Sequence, residues 1–457
     1  MTVQPVQPAS TKRGQPPGPR GWPLLGVGPI VLKDPMKFFV ETARDYGDIV
    51  HFTVGALKFY LINHPDYLQY VLQENNRNYH KGVTYDKIRP LLGNGLVTSD
   101  GSYWLRQRRL IQPAFHRKRL ANLGDLMTSA TTHVLDRWQA AADRREAINV
   151  ADEFMRMTID IVSRAMFSTD TTGAVDRVAQ YLPLLQERTN ERFWTVLDTS
   201  HWPTRRNRQY WQALRELDAI VYNIIETRRK QSEAPDDLLT MLLEARDEDT
   251  GEQMTNQQLR DEVMTIYLAG HETTANALSW AYYLLGLHPD LHQRLQDEVD
   301  TVLQGRTPTV EDLPNLQYTR QVIDETLRLY PTAWTISRTP LQPDEIGGYA
   351  IPAGSVVAMS MYLTHRHPDF WADPEKFDPD RFTPERSAQR HPYAYLPFSA
   401  GPRQCIGNSF ALMEAQLILP MIEQRYRLEL MPDYPVVPQP VVTLRPRYGV
   451  QMRVQSR

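Results

Sequence analysis

Apolar residues recur at helical spacing through nearly the whole stretch from Leu120 to Met254, with breaks at Thr171 to Gly173, His201 to Thr204 and Ser232 to Asp237. The longest such run opens on a capping box, Thr255 with Gln258 three residues on, and continues to Gly286 before Pro289. About 30 residues rise roughly 45 Å, enough to cross a domain of this size. A shorter helix is predicted in SDGSYWLRQRRLIQP, capped by Ser99, Asp100 or Ser102 and stopped near Pro113; another begins at Gly407 in GNSFALMEAQLILPMIEQ. Alternation is rarer. HFTVGALKFYLIN (His51 to Asn63) alternates, turns at Gly55 and resumes, which predicts a β-hairpin. GGYAIPAGSVVAMS reads as a second hairpin turning on Pro-Ala-Gly, and VVTLRPRYGVQMRV as strand. Lys81 to Thr98 mixes Gly, Pro and apolar residues without period and reads as loop. The pattern predicts a mainly α protein with small β-sheets.

Composition sharpens this only a little. The chain is 41% hydrophobic and 23% charged, ordinary for a globular protein with a large core. No internal repeat is found. A net charge of −3 argues neither for nor against a nucleic-acid partner, but no dense basic run with interleaved aromatics is found and no such partner is expected. The first residues, MTVQPVQPASTKRGQPPGPRGWPLLG, are polar and proline-rich, without an apolar run for a signal peptide or membrane anchor. They read as a flexible arm over residues 1–17, ahead of one large domain over 18–457.

Chemistry concentrates in FSAGPRQCIG (Phe398 to Gly407), around Cys405, the only cysteine of 457 residues. One cysteine makes no internal disulfide, and no His or carboxylate spacing completes a zinc or iron–sulfur site. A buried thiol, a nucleophile or a single axial metal ligand remain. Gly401 and Gly407 permit tight turns and a close approach by something flat. Phe398 can pack on the sulfur. A helix beginning after Cys405 aims free N–H groups at it and favours thiolate. Arg403 can hold an anionic group. F-x-x-G-x-R-x-C-x-G has a chance expectation of about 10⁻⁴ or less in a chain of this length.

FSAGPRQCIG resembles the haem-binding loop of the cytochrome P450 superfamily, with every fixed position present. The resemblance makes the domain over 18–457 catalytic and implies a single helical domain with a β-rich part over about 48–65 and 331–400 and a helical part over about 66–330 and 406–427. Membrane-anchored members carry a hydrophobic helix ahead of this domain, so the polar arm here implies a cytoplasmic location. It makes Cys405 the proximal ligand of haem b iron, with Phe398 and Gly407 beside it. Trp104 and Arg108, four apart on one helix face, together with Arg338 and Arg403, fall where members bind the haem propionates. LAGHETTANAL places Gly270, a poor helix former, beside Thr273 and Thr274, which can bond back to carbonyls one turn earlier. At this position the family carries an acid–alcohol pair that serves O2, here Glu272 and Thr273. His271 faces elsewhere on the helix. Glu325 and Arg328 in VIDETLRLYP, with Arg381 in FDPDRF, form the family's structural triad. Ala269, Ala333, Trp334, Thr335, Val442 and Thr443 are pocket candidates. Lys81 to Thr98 corresponds to the loop over the pocket, and VAQYLPLLQERTNERFWTVLDTSHW to its mobile lid. His365 and His367 form an H-x-H without a third ligand and read as packing histidines.

The activity implied is insertion of one oxygen atom from O2 into a C–H or C=C bond of a lipophilic small molecule, the other atom leaving as water. No reductase follows Arg457, so electrons from NAD(P)H are expected through a separate ferredoxin or flavodoxin and its reductase, with the enzyme a monomer. Arg106, Arg109, Arg117, Lys118 and Arg119 are candidates to attract that acidic donor. A peroxygenase using H2O2 or a haem-based sensor are the alternatives; neither needs Glu272 and Thr273. The segments AGHETT, ETLRLYPTA and CIGNSFALMEA look most like bacterial fatty-acid hydroxylases, though they serve the haem and not the substrate.

Overall fold

The computed structural model describes residues 14–168, 181–182, 184–191, 202–247 and 249–457. Its axis is the helix Asn256–Leu287, which starts as its sequence dictates. Thr255 Oγ1 accepts from Gln258 N, and Gln258 Oε1 accepts from Thr255 N. Most of its side chains are buried on all sides, which an amphipathic surface helix could not tolerate. Around it pack Val150–Phe167, Arg205–Lys230, Gln317–Leu329 and Asn408–Arg425. The breaks at Trp202 to Thr204 and at Gln231 to Asp237 lie where the pattern placed them; that at Thr171 to Gly173 falls outside the described residues.

The hairpin at His51 to Asn63 is present as strands Ile49–Val54 and Leu57–Ile62, registered Val54 opposite Leu57, with Gly55 at φ 58° in the turn. The second hairpin is not. Gly347 and Gly348, both at positive φ, turn Asp344–Ile346 onto Tyr349–Ile351. Val356–Met359 instead joins the main sheet, parallel to Leu57–Ile62 and antiparallel to Ile336–Pro340. Two adjacent Gly residues accept positive φ more readily than Pro-Ala-Gly, where Pro is fixed near −65°. Lys81 to Thr98, read as loop, contains the short helices Val83–Asp86 and Arg89–Leu92. A strand the periodicity missed, Ala147–Asn149, pairs with Gln451–Ser456, which also pairs with Tyr426–Leu430.

Glu325 and Arg328 tie this frame to the Cys405 loop. Both side chains are fully buried, and Arg328 donates from Nε and Nη2 to the two oxygens of Glu325 at 2.6 and 2.8 Å. Its remaining N–H groups go to the carbonyls of His365, Pro374 and Lys376 at 2.9, 2.6 and 3.0 Å. Glu325 Oε1 also accepts from Asp378 N at 2.8 Å and lies 3.4 Å from Arg381 Nε. One ion pair thus organises the backbone from 365 to 381. His365 is packed in the same core: Nδ1 donates to Arg328 O, Nε2 accepts from Leu396 N at 2.8 Å, and burial pushes the imidazole down to about 3, so it stays neutral.

Truncating Arg328 would strand the Glu325 carboxylate in the core, a loss of about 3–5 kcal/mol. Arg328→Ala is expected to unfold at lower denaturant and to bring residues 365–381 into early proteolysis. The paired change Glu325→Leu with Arg328→Met, which leaves no buried charge, is expected to recover part of the loss. Equal denaturation midpoints for single and paired variants would show that the ion pair is not what organises this backbone.

Candidate functional site

Cys405 lies between a 3₁₀ turn, Gly401–Arg403, and the helix Asn408–Arg425. Its N–H donates to Phe398 O at 2.9 Å, closing the loop on itself. Gly401 has φ 70°, and a Cβ there would stand 2.0 Å from Leu72 O, so only glycine fits. Gly407 differs from expectation. At φ −88° it is ordinary backbone, a Cβ would approach the sulfur no closer than 4.0 Å, and what it supplies is an N–H bonded to Cys405. Cys405 is accessible, yet protein atoms crowd its thiol enough that burial raises its pKa; the Gly407 N–H and the Arg108 charge oppose that rise.

The central helix opens onto the interior along one stripe. Ala269 is exposed and Thr273, one turn on, half-buried, while their helical neighbours are mostly buried. Helical hydrogen bonding continues through the segment. Thr273 Oγ1 donates to Ala269 O at 2.8 Å. Gly270 lies close against Val162: a Cβ there would stand 3.2 Å from Val162 Cγ2, which would have to give by a few tenths of an ångström. Glu272 sits off the stripe in a buried nest, accepting from Thr443 Oγ1 at 2.6 Å and from Gln186 Nε2 at 2.9 Å. Burial raises its pKa against these donors and the Arg445 charge. Thr443 therefore serves Glu272 and accepts from Asn276 at 3.3 Å, so it is not a lining residue. Trp334 also departs from the pocket reading. It is fully buried, donates from Nε1 to Val441 O at 3.0 Å and packs on Phe39, whereas Ala333 and Thr335 on either side are half-open. Alternation along an extended segment sends neighbours to opposite faces. Val442 is half-open. His271 is turned into the core, its ring bonded to Tyr267 O and held neutral by burial, which lowers it to about 4.

Cations gather at one edge. Arg403 donates to Asp100 Oδ1 at 2.5 Å and to Ser99 O at 3.1 Å, with its guanidinium 4.5 Å from the Trp104 ring. Arg338 and Lys81, both buried, lie close enough to depress the Lys81 pKa further than burial alone does. Lys81 carries no spacing signal and was missed in the sequence; Asp100 drew notice only as a helix cap. Arg108 is directed elsewhere, donating to Gln404 O at 3.0 Å beside the thiol. Buried cations of this number with so little anion among them suit a ligand bearing carboxylates. Among the described residues no three or more His, Cys, Asp or Glu converge as a metal site.

The chain matches the family model described as Cytochrome P450 over residues 16–452. It belongs to the cytochrome P450 family. Cyclooctatin synthase of Streptomyces melanosporofaciens is 38% identical over 96% of this chain and 95% of that protein. Pentalenene oxygenase of Streptomyces avermitilis is 33% identical over 96% and 97%. Among solved structures, the cytochrome P450DA haem domain superposes at a TM-score of 0.88 with 29% identity over 97% of this chain and 98% of that one. The P450 fold and an oxidoreductase using haem iron and O2 follow from membership. The donor set fits that group: one thiol in the interior, an open helix stripe and a cationic edge for its carboxylates. Among the described residues no helix is long and apolar enough to cross a membrane.

One residue of the Cys405 helix has no assigned role. Glu414 is fully buried, neither carboxyl oxygen has a hydrogen-bond partner of good geometry among the described residues, and burial raises it to about 8 with only the Thr274 hydroxyl opposing. The unfolded carboxyl titrates near ~4.5. Its folded value is higher, so folding is favoured below the unfolded value and that advantage is lost as pH rises towards about 8. Glu414→Gln is expected to flatten the fall in stability from pH 5 to 8 in chemical denaturation. Parallel stability–pH curves for parent and variant would show Glu414 to be solvated.

Proposed function

We propose that this chain is a haem-thiolate monooxygenase that oxygenates a cyclic terpenoid, with Cys405 as the residue that would hold the haem iron through its sulfur and Glu272 and Thr273 moving protons to the cavity. The observation that carries it is the accessible yet protein-crowded thiol of Cys405, in a fold whose central helix exposes Ala269 and leaves Thr273 half-open. When bound, haem b supplies activation of O2 and transfer of one oxygen atom to the substrate. The protein's part is the thiolate, the charges and the proton.

Arg108 and the Gly407 N–H favour the anionic sulfur. Arg338, Arg403 and Lys81, with Trp104 under the Arg403 guanidinium, hold the carboxylate edge. Burial raises the Glu272 pKa, which favours its protonated form over that of an exposed carboxyl, and Thr443 and Gln186 orient it. The Thr273 hydroxyl donates to Ala269 O of its own helix, which leaves its oxygen lone pairs free to accept a hydrogen bond. This pair favours O2 chemistry over H2O2-driven peroxygenation or sensing, which need no proton relay.

The substrate class rests on the relatives. Cyclooctatin synthase, cyclooctat-9-en-7-ol 5-monooxygenase at 36% identity and pentalenene oxygenase are terpene-oxidising, bacterial enzymes. The lining offered by Ala269, Ala333, Thr335 and Val442 is small and weakly polar, suited to a rigid hydrocarbon skeleton more than to a charged head group. Electrons come from a separate redox partner, which we assign to the ferredoxin or flavodoxin class, reduced in turn from NAD(P)H. The arginine route to that partner needs revision. Arg106 pairs with Asp247 and Glu252 at 3.6 and 3.4 Å, and Arg109 with Asp249 at 2.8 Å, so much of this charge is already compensated. The side chains of Arg117 and Lys118 lie outside the described set, and Arg119 is exposed. A shallow cleft of about 360 Å³ beside the Cys405 loop, lined by Arg320, Tyr393, Ala400, Gln404 and Leu412 among others, offers a second approach.

The purified protein is expected to hold one haem b and to show, reduced under CO, the strongly red-shifted Soret band of thiolate ligation. Cyclic terpenoids should shift its spin state at lower concentration than fatty acids of equal carbon number. A CO band typical of histidine ligation in intact protein removes the Cys405 assignment, and a tighter fatty-acid response removes the terpenoid one. Thr273→Ala should keep haem content and NAD(P)H consumption but lose product in favour of H2O2, by about 10²-fold in the proton-dependent step. Coupling equal to the parent, with peroxide titrated alongside, would place the proton route elsewhere.

A further inference from the structure

The segment Gly93 to Ser99 is fastened on both sides of a single peptide run. On the side of the central helix, Glu262 Oε2 accepts from Leu96 N at 3.0 Å and Asp261 Oδ2 from Asn94 N at 2.8 Å. The contact is at glycine distance: a Cβ on Gly93 would stand 2.0 Å from Asp261 Oδ1, and one on Gly95 2.3 Å from Thr265 Oγ1. On the other side Lys81 Nζ donates to Leu96 O at 2.7 Å and also to Val97 O. Leu96 is thus held at its N–H by an acid of the central helix and at its carbonyl by a lysine of the cationic edge.

Lys81 is in an unusual position for an ammonium. It is only 7% exposed, and its own backbone N–H is held by the Asp100 carboxylate that also takes Arg403. The charged groups facing its side chain are Arg338 and Arg403, which repel its proton, and Asp100 and Glu262, which retain it; burial is the largest influence, and with the two arginines it outweighs the two acids and lowers the pKa well below the ordinary value. A dianionic ligand edge lodged against Arg338 and Arg403 would screen that repulsion and strengthen the donation from Nζ to the two carbonyls. Without it, burial and the two arginines act against the ammonium, and its donation to the carbonyls of a buried loop is weaker.

We propose that Lys81 is a positioning residue that couples the cofactor's carboxylates, seated at Arg338 and Arg403, to closure of the Gly93–Ser99 loop against the central helix beside the substrate cavity. The proposal rests on the reading above that this cationic edge holds those carboxylates. The loop is then tight only when the carboxylate edge is in place, and Glu262 is its fixed anchor while Lys81 is its adjustable one.

The test is amide hydrogen exchange at Asn94 and Leu96 in holoenzyme loaded with haem or with haem dimethyl ester, whose propionates are neutral. In the parent, esterification is expected to speed exchange at both amides about tenfold, the effect of losing roughly one hydrogen bond's worth of closure. Lys81→Met loaded with haem should already exchange at the faster rate and show no further response to esterification. An unchanged parent rate on esterification, or a full response in Lys81→Met, overturns the coupling. Should Lys81→Met not fold, Lys81→Gln, which keeps an N–H donor without the charge, must show the same insensitivity to esterification. The cradle reading is judged separately, by affinity: if the apoprotein takes up haem and its dimethyl ester equally well, and Arg338→Gln does not change this, the carboxylates do not sit at this edge. A preference for haem with no change in loop exchange leaves that reading standing and sinks only the role of Lys81.

Discussion

A guanidinium leaves water only where each of its N–H groups finds an acceptor, and Arg328 meets that condition with a carboxylate and three backbone carbonyls. The stretch from His365 to Arg381 has little regular structure, so neither a strand ladder nor a helix can position it. A charge that must be paired positions it instead. His365 passes the constraint on to Leu396, and two residues later Phe398 receives the Cys405 N–H. The sulfur's position is therefore set by the desolvation of an arginine many ångströms of backbone away. The pair contributes little net stability of its own against an apolar alternative, and what it supplies is a single arrangement of carbonyls.

A second set of buried charges surrounds the cavity and is only half compensated by protein. Lys81, Arg338 and Arg403 have two carboxylates near them, Asp100 and Glu262, while burial raises the pKa of Glu272 and of Glu414. The two kinds of imbalance have different meanings. Excess buried cation waits for an anion; a buried acid with a raised pKa keeps its proton. The site is thus divided into an edge that binds charge and buried acids on two helices, and Thr443 and Gln186 keep Glu272 aligned without adding charge to it.

How far the sequence carried differs by the kind of interaction. The capping box at Thr255, the turn at Gly55 and the Cys405 loop were readable because local chemistry decides them within a few residues. Fold membership followed from the same loop. Lys81 was not readable, since its importance comes from Arg338, Arg403 and Leu96, which only the tertiary fold assembles. The second hairpin failed for a similar reason. Val356–Met359 has a better partner in Leu57–Ile62 than in its neighbour Tyr349–Ile351, and a single sequence does not reveal a distant partner. Trp334 was placed in the pocket by position, but one residue of alternation sends it to the core and leaves Ala333 and Thr335 open. Arg106 and Arg109 looked available because the acids that pair with them lie on a distant loop.

That distant pairing in the main sheet has a cost during synthesis. Leu57–Ile62 lies beside Val356–Met359 in parallel register, so its outer edge has no partner until about 300 further residues have been made. At ~5–20 residues per second on the ribosome, the hairpin waits on the order of 15–60 s with an unpaired, largely apolar edge. Crossing so long a separation also makes the pairing slow once both strands exist. The nascent protein therefore has a vulnerable interval set by topology alone, in which a chaperone that covers strand edges would determine yield more than any residue of the active site.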